Sequence, residues 1–104
     1  MGTPSRQGGE QVVERVERKT KEPDRHQVVL LNDDYTTMDF VMEVLETVFH
    51  KSPAEAYRIM LMVHTQGRGI CGVYTWQVAE TKADAVVELA RQAGFPLRAV
   101  VEEA

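Results

Sequence analysis

The stretch that most constrains this chain is Val28-Val29-Leu30-Leu31-Asn32-Asp33-Asp34. Four consecutive apolar residues meet three short polar ones, so a buried element must end abruptly there. The apolar run, entered at His26, reads as a strand covered on at least one face. Asn32-Asp33-Asp34 terminates it, because short polar side chains hydrogen-bond nearby backbone and tolerate turn dihedrals. Groups of this kind at the end of a buried element turn the chain or bind something, and here they are read as doing both.

The next signals are helical. Thr36-x-x-Asp39 is a capping-box variant that predicts a helix over about Thr37 to His50, with Val41, Val44, Leu45, Val48 and Phe49 as its buried stripe. Ser52-Pro53-Ala54-Glu55 is a stronger start: an N-cap, a proline at the first helical position and a carboxylate at the third. That second helix runs to about Gln66 and stops at Gly67. Ala56, Ile59, Met60 and Val63 share one face, and His64 lies one turn after Met60. Gly69 to Thr75 reads as a strand around Cys71 and Gly72. Thr75 caps a third helix over about Trp76 to Ala93, with Val78, Ala79, Ala83, Val86, Val87 and Ala90 as its core positions. Gly94 and Pro96 stop it, and Leu97 to Glu102 is a last strand. The order β-α-α-β-α-β predicts an α+β fold, a small sheet covered by three helices.

Residues 1–25 are poor in large apolar groups and carry Gly2, Pro4, Ser5, Gly8, Gly9 and Pro23. They read as a disordered N-terminal extension, or as a tether that engages a partner only during action. Residues 26–104 form the folding domain. The single cysteine, Cys71, excludes an internal disulfide and reads as a small buried hydrophobe. No apolar run approaches the ~18–20 residues of a membrane span, and no secretory signal is present, so the expected location is cytoplasmic. The net charge of −4 is uneven, +1 over residues 1–25 and −5 over 26–104. An acidic domain without a basic stripe repels nucleic acid and favours cationic ligands, a free peptide amine among them.

No enzyme pattern survives inspection. There is no phosphate-binding glycine loop, H-E-x-x-H, paired cysteine or G-x-S-x-G, and His26, His50 and His64 lack metal-ligand spacing. No cofactor or metal is expected. Asp33 and Asp34 could work with His64 as an acid/base set in a small hydrolase, but an aspartate pair at a strand end is more often a turn, so the chain is read as no enzyme. Asn32-Asp33-Asp34 taken alone is ordinary turn chemistry, and Met38, Met60 and Met62 taken alone are core. Taken together they suggest more. If the second helix packs beside the strand end, Met60, Val63 and His64 face the same cleft as Met38. The result is an apolar pocket rimmed by Asn, Asp and His, able to accept hydrogen bonds from an ammonium group while holding a large side chain.

Four ordered motifs strengthen that reading. Val29-Leu30-Leu31-Asn32-Asp33-Asp34-Tyr35-Thr36-Thr37-Met38-Asp39-Phe40-Val41 resembles the signature of the ClpS family of adaptor proteins. Met60-Leu61-Met62-Val63-His64-Thr65-Gln66-Gly67, Gly69-Ile70-Cys71-Gly72-Val73-Tyr74-Thr75 and Val78-Ala79-Glu80-Thr81-Lys82 resemble its further motifs. The similarity covers about residues 26–104. It implies a three-stranded antiparallel sheet with three helices, like the carboxy-terminal domain of the ribosomal stalk protein. It also implies a monomeric adaptor that recognises proteins beginning with Leu, Phe, Tyr or Trp, the primary N-degrons. Such adaptors deliver their substrates to the amino-terminal domain of a Clp unfoldase (ClpA, or ClpC in some lineages) for degradation by its protease.

By motif, the resemblance implies that Asn32, Asp33 and His64 bind the substrate α-amino group, as Asn and neutral His offer acceptors and Asp33 supplies negative potential. Asp34 and Thr36 would shape the pocket mouth. Met38, Val41, Met60, Val63 and Leu97 would line the pocket, with Met38 as gatekeeper against β-branched side chains. Glu80 and Lys82 would dock the unfoldase, and Gln77 stands there where an acidic residue is expected. The extension would act in delivery. The rival reading is a protein-interaction module of the same fold without the pocket.

Overall fold

The computed structural model describes residues 24–104; the expectations for the extension concern residues lying almost wholly outside that range. Six elements follow in the expected order: β1 (His26–Leu31), α1 (Met38–Thr47), α2 (Pro53–Gln66), β2 (Arg68–Tyr74), α3 (Trp76–Ala93) and β3 (Arg98–Glu103). The sheet is antiparallel with strand order β2-β1-β3. The apolar run thus becomes the central strand, which explains why Val28, Val29 and Leu30 have no exposed surface. Val28 and Leu30 join the core under the helices. Val29, on the alternate face, lies between its cross-strand partners Ile70 and Val100.

One irregularity sets which β2 side chains face the helices. The register slips between Val28 and Val29, opposite Gly72 and Ile70, so Cys71 is an extra residue in β2. A bulge of this kind changes the alternation of the strand. Gly69 and Cys71 point to the core before it and Tyr74 packs on the core after it, leaving Ile70 and Val73 outside. Burial pushes the Cys71 thiol up to about 12, as expected of an inert small hydrophobe. Gly69 has a packing reason: a Cβ there would come within 2.8 Å of Val63 Cγ2 and 3.1 Å of the Ile59 carbonyl oxygen. The absent side chain lets α2 lie directly against β2.

The helix boundaries are mostly those expected, with two instructive shifts. Ser52 caps α2 by accepting from the Glu55 N–H, Gly67 ends it at φ 89°, and Thr75 caps α3 by accepting from the Val78 N–H. The N-cap of α1, however, is Thr37, whose hydroxyl accepts from the Phe40 N–H at 3.1 Å, not Thr36. The same helix ends at Thr47 instead of His50. His50 takes a left-handed φ of 56°, and the Lys51 N–H folds back onto the Leu45 carbonyl. On α3 the buried stripe is Ala79, Ala83, Val86 and Ala90, while Val78 and Val87 are exposed rather than core. Small residues at that spacing bring α3 close to the sheet and leave its flanking valines in solvent.

Asp24 and Arg25, assigned to the extension by sequence, are tied to the domain. Asp24 Oδ1 accepts from the Trp76 N–H at 3.0 Å, and the Arg25 carbonyl accepts from the Ala104 N–H at 3.0 Å. Among the described residues no helix is long and apolar enough to cross a membrane.

Candidate functional site

The site grows from the end of β1. After Leu31 the chain leaves the sheet, and the Asn32 N–H donates to the Gly67 carbonyl at 2.9 Å. Gly67 is the left-handed cap of α2, a conformation that L side chains resist by about 1–2 kcal/mol. One hydrogen bond therefore fixes the loop after β1 against the C-terminal end of α2, where His64 projects. Local backbone chemistry brings the Asn32 and His64 side chains to the same opening.

Asp33 organises the loop. Its Oδ1 accepts from the Tyr35 N–H at 2.8 Å and the Thr36 N–H at 2.7 Å, and its Oδ2 accepts from the Thr36 hydroxyl at 2.7 Å. Burial opposes ionisation of Asp33, but the Thr36 hydroxyl and N–H, the Tyr35 N–H and the more distant Arg98 outweigh it. Its carboxyl is held below the ordinary carboxylate range. Three of the four lone-pair sites of a carboxylate are thus occupied within the loop. Asp33 acts first as a scaffold and second as a source of negative potential. The same bonds explain the shifted cap: Thr36 is engaged by Asp33, so Thr37 is left to start α1.

A cavity of about 430 Å³ opens beside this loop, within the ~300–1,000 Å³ typical of ligand pockets. Asn32, Asp33, Asp34, Thr36 and His64 form its polar side, and Met38, Val41, Met60 and Val63 its apolar side. Val41, Met60 and Val63 are buried and belong to the core, whereas Met38 is half exposed at the first position of α1. Tyr35, 77% exposed, and Thr37 also line the cavity. Both lie inside the polar motif, and nothing in the residue pattern marked them apart from their neighbours. Leu97 does not line the cavity. It is only 4% exposed, just before β3, in the same core cluster as Val41, Met60 and Val63.

Glu80 and Lys82 lie on α3, away from this cavity. Two residues apart on a helix, they do not share a face. Lys82 is turned inward: its Nζ donates to the Val48 carbonyl at 2.8 Å and lies 5.9 Å from the Phe49 ring centre and 5.4 Å from that of Tyr74. A cation at an orphaned carbonyl in the turn that ends α1 complements the helix dipole, so this side chain ties α3 to α1. Among the described residues no group of three His, Cys, Asp or Glu side chains is placed to hold a metal ion.

Chemically, the cavity offers acceptors and negative charge around one rim and a methionine- and valine-lined interior below. It suits a ligand that combines a cationic hydrogen-bond donor with an adjacent large apolar group.

Known proteins share this arrangement of chain. The family described as ATP-dependent Clp protease adaptor protein ClpS matches residues 21–100. An ATP-dependent Clp protease adapter protein ClpS of Wolinella succinogenes is 57% identical over 82 residues, 79% of this chain and 80% of the relative. One from Paraburkholderia xenovorans is 52% identical over 101 residues, 97% of this chain and 96% of the relative. Among solved structures, Agrobacterium tumefaciens ClpS2 bound to L-phenylalaninamide superposes with a TM-score of 0.77 at 40% identity, covering 80% of this chain and all of the other. With the α+β topology, the family match over most of the chain and relatives this close, the protein belongs to the ClpS family of Clp protease adaptors, a family of adaptors and not of enzymes.

Proposed function

We propose that this adaptor recognises proteins by a free N-terminal Leu, Phe, Tyr or Trp and delivers them to the amino-terminal domain of a Clp unfoldase, ClpA or ClpC. One observation carries the reading: a single cavity puts Asn32, Asp33 and His64 on its rim and Met38, Val41, Met60 and Val63 in its wall. Phenylalaninamide, the ligand of the Agrobacterium relative, is a free α-amine beside a benzyl group, with an amide standing in for the continuing chain. Its two halves match the two halves of this cavity. The ammonium donates to Asn32 and His64 in the field of Asp33, and the side chain enters the apolar interior. Asp34 and Thr36 shape the mouth, Met38 gates it, and Leu97 supports the wall from the core. Glu80 belongs to the surface that meets the unfoldase, with Lys82 holding that helix in place. The residues before Asp24 act in delivery rather than in recognition.

Fluorescence anisotropy with a labelled Phe-initiated peptide tests this directly. The free-amine peptide binds and its N-acetylated form does not. His64→Ala weakens binding by ~1–3 kcal/mol, since a charged donor loses its partner. Equal binding of the acetylated peptide would leave a protein-interaction module without an amine site.

A further inference from the structure

We infer that a groove between α1 and α2, next to the pocket, is a second subsite that takes a large apolar side chain at the second position of the substrate. The inference rests on the N-terminal-residue reading above. The groove measures about 550 Å³ and is lined by Met42, Tyr57 and Leu61 together with Met38, Met60 and His64. The last three also line the pocket, so the two hollows adjoin along these shared side chains. Tyr57 and Leu61 are 53% and 38% exposed, which leaves apolar surface uncovered beside the amine-binding rim.

The substrate is the occupant that continuity selects. A chain whose first side chain fills the pocket has its second Cα only about 3.8 Å further on, close enough to cross a single methionine. Toward the polar lining it would meet Asp33 and Asp34, where an apolar side chain gains nothing. On the Met38 side it meets three methionines and a leucine, and methionine adapts to varied shapes. Asp39 is the acidic residue of the groove, so a second carboxylate there is repelled. The structure therefore assigns a second-position order of Leu or Phe over Gly, and Gly over Glu.

The test compares phenylalaninamide, Phe-Leu-amide, Phe-Gly-amide and Phe-Glu-amide by competition binding to the full chain. Phe-Leu-amide binds roughly fivefold to tenfold more tightly than Phe-Gly-amide, the yield of partly burying one leucine in an open groove. In the Tyr57→Ala/Leu61→Ala variant that ratio falls below about twofold, while phenylalaninamide binds as it does to the unaltered protein. Both side chains are exposed enough for the variant to fold, and unchanged phenylalaninamide affinity certifies it. Equal affinity for Phe-Leu-amide and Phe-Gly-amide, or a preference that survives the double substitution, overturns the second subsite and leaves the first intact. Failure of phenylalaninamide to bind the unaltered protein overturns both.

Discussion

Replacing Asp33 with alanine is expected to loosen the loop that carries Asn32, one of the side chains proposed to hold the substrate amine. The carboxylate accepts three hydrogen bonds of 2.7–2.8 Å, two from backbone N–H groups and one from the Thr36 hydroxyl. Tyr35 is exposed and Thr36 half-buried, so water replaces part of what is lost. The nearest analogue is removal of a helix N-cap, which costs ~1–2 kcal/mol. In a domain of this size that lowers the melting temperature by roughly 4–8 °C per kcal/mol. Asp33→Asn separates scaffold from charge. Its Oδ1 still accepts both backbone N–H groups, and the Thr36 hydroxyl rotates to accept from the new amide, so stability falls by less than about 1 kcal/mol. The negative charge is gone, however, and binding of a Phe-initiated peptide weakens by about 1 kcal/mol, roughly fivefold.

The pH dependence follows from the same geometry. The folded-state carboxyl of Asp33 titrates below its ordinary 3.8. Its ionised form therefore contributes stability that is present above 3.8 and lost as pH falls through the depressed value. Thermal unfolding followed between about pH 3 and 7 shows a steeper acid loss for the unaltered protein than for Asp33→Asn. Melting temperatures that fall equally for the Ala and Asn variants, or an Ala variant within a degree of the unaltered protein, would refute the scaffold role. Unchanged peptide affinity in Asp33→Asn would remove the charge from recognition.

Met38→Ala is expected to admit Ile or Val at the first substrate position. An apolar wall separates one methylene by only ~1–3 kcal/mol, so rejection of a β-branched side chain needs a steric clash; anisotropy showing continued rejection of both would remove Met38 as gatekeeper. Lys82→Met keeps the apolar stem over Phe49 and Tyr74 but loses the bond to the Val48 carbonyl, and stability falls by ~0.5–1.5 kcal/mol. A melting temperature that stays put while unfoldase binding disappears would show that the ammonium serves docking instead. Deleting residues 2–20 leaves peptide affinity intact and abolishes degradation of a Phe-initiated reporter; degradation at the normal rate would strip the extension of its part in delivery.

Period and punctuation in the sequence locate all six elements, because each depends on chemistry within a few residues. Val28 to Leu31 reads as a covered strand, and Ser52-Pro53 and Thr75 carry helix-start signals. The shifts arise where two local rules compete for one residue. Thr36 and Thr37 each have a backbone N–H three positions on to cap, and the pattern favours Thr36 because Asp39 follows it. Asp33, three positions upstream, takes the Thr36 hydroxyl and N–H first, so the helix starts one residue later. Lys82 reads as surface because a lysine on an acidic helix usually is. It turns inward because the turn that ends α1 leaves a carbonyl facing α3, a relation no local window contains. The site is the sharpest case. Its polar half lies within Asn32 to Thr36 apart from His64 on α2, and its apolar half lies on α1 and α2, so the residue types are legible in the sequence. Their meeting depends on the Asn32 N–H reaching the Gly67 carbonyl. That bond ties the end of β1 to the end of α2 across one intervening helix, and it brings Asn32 and His64 to the same cavity. A change that breaks it without touching a lining side chain should therefore weaken recognition.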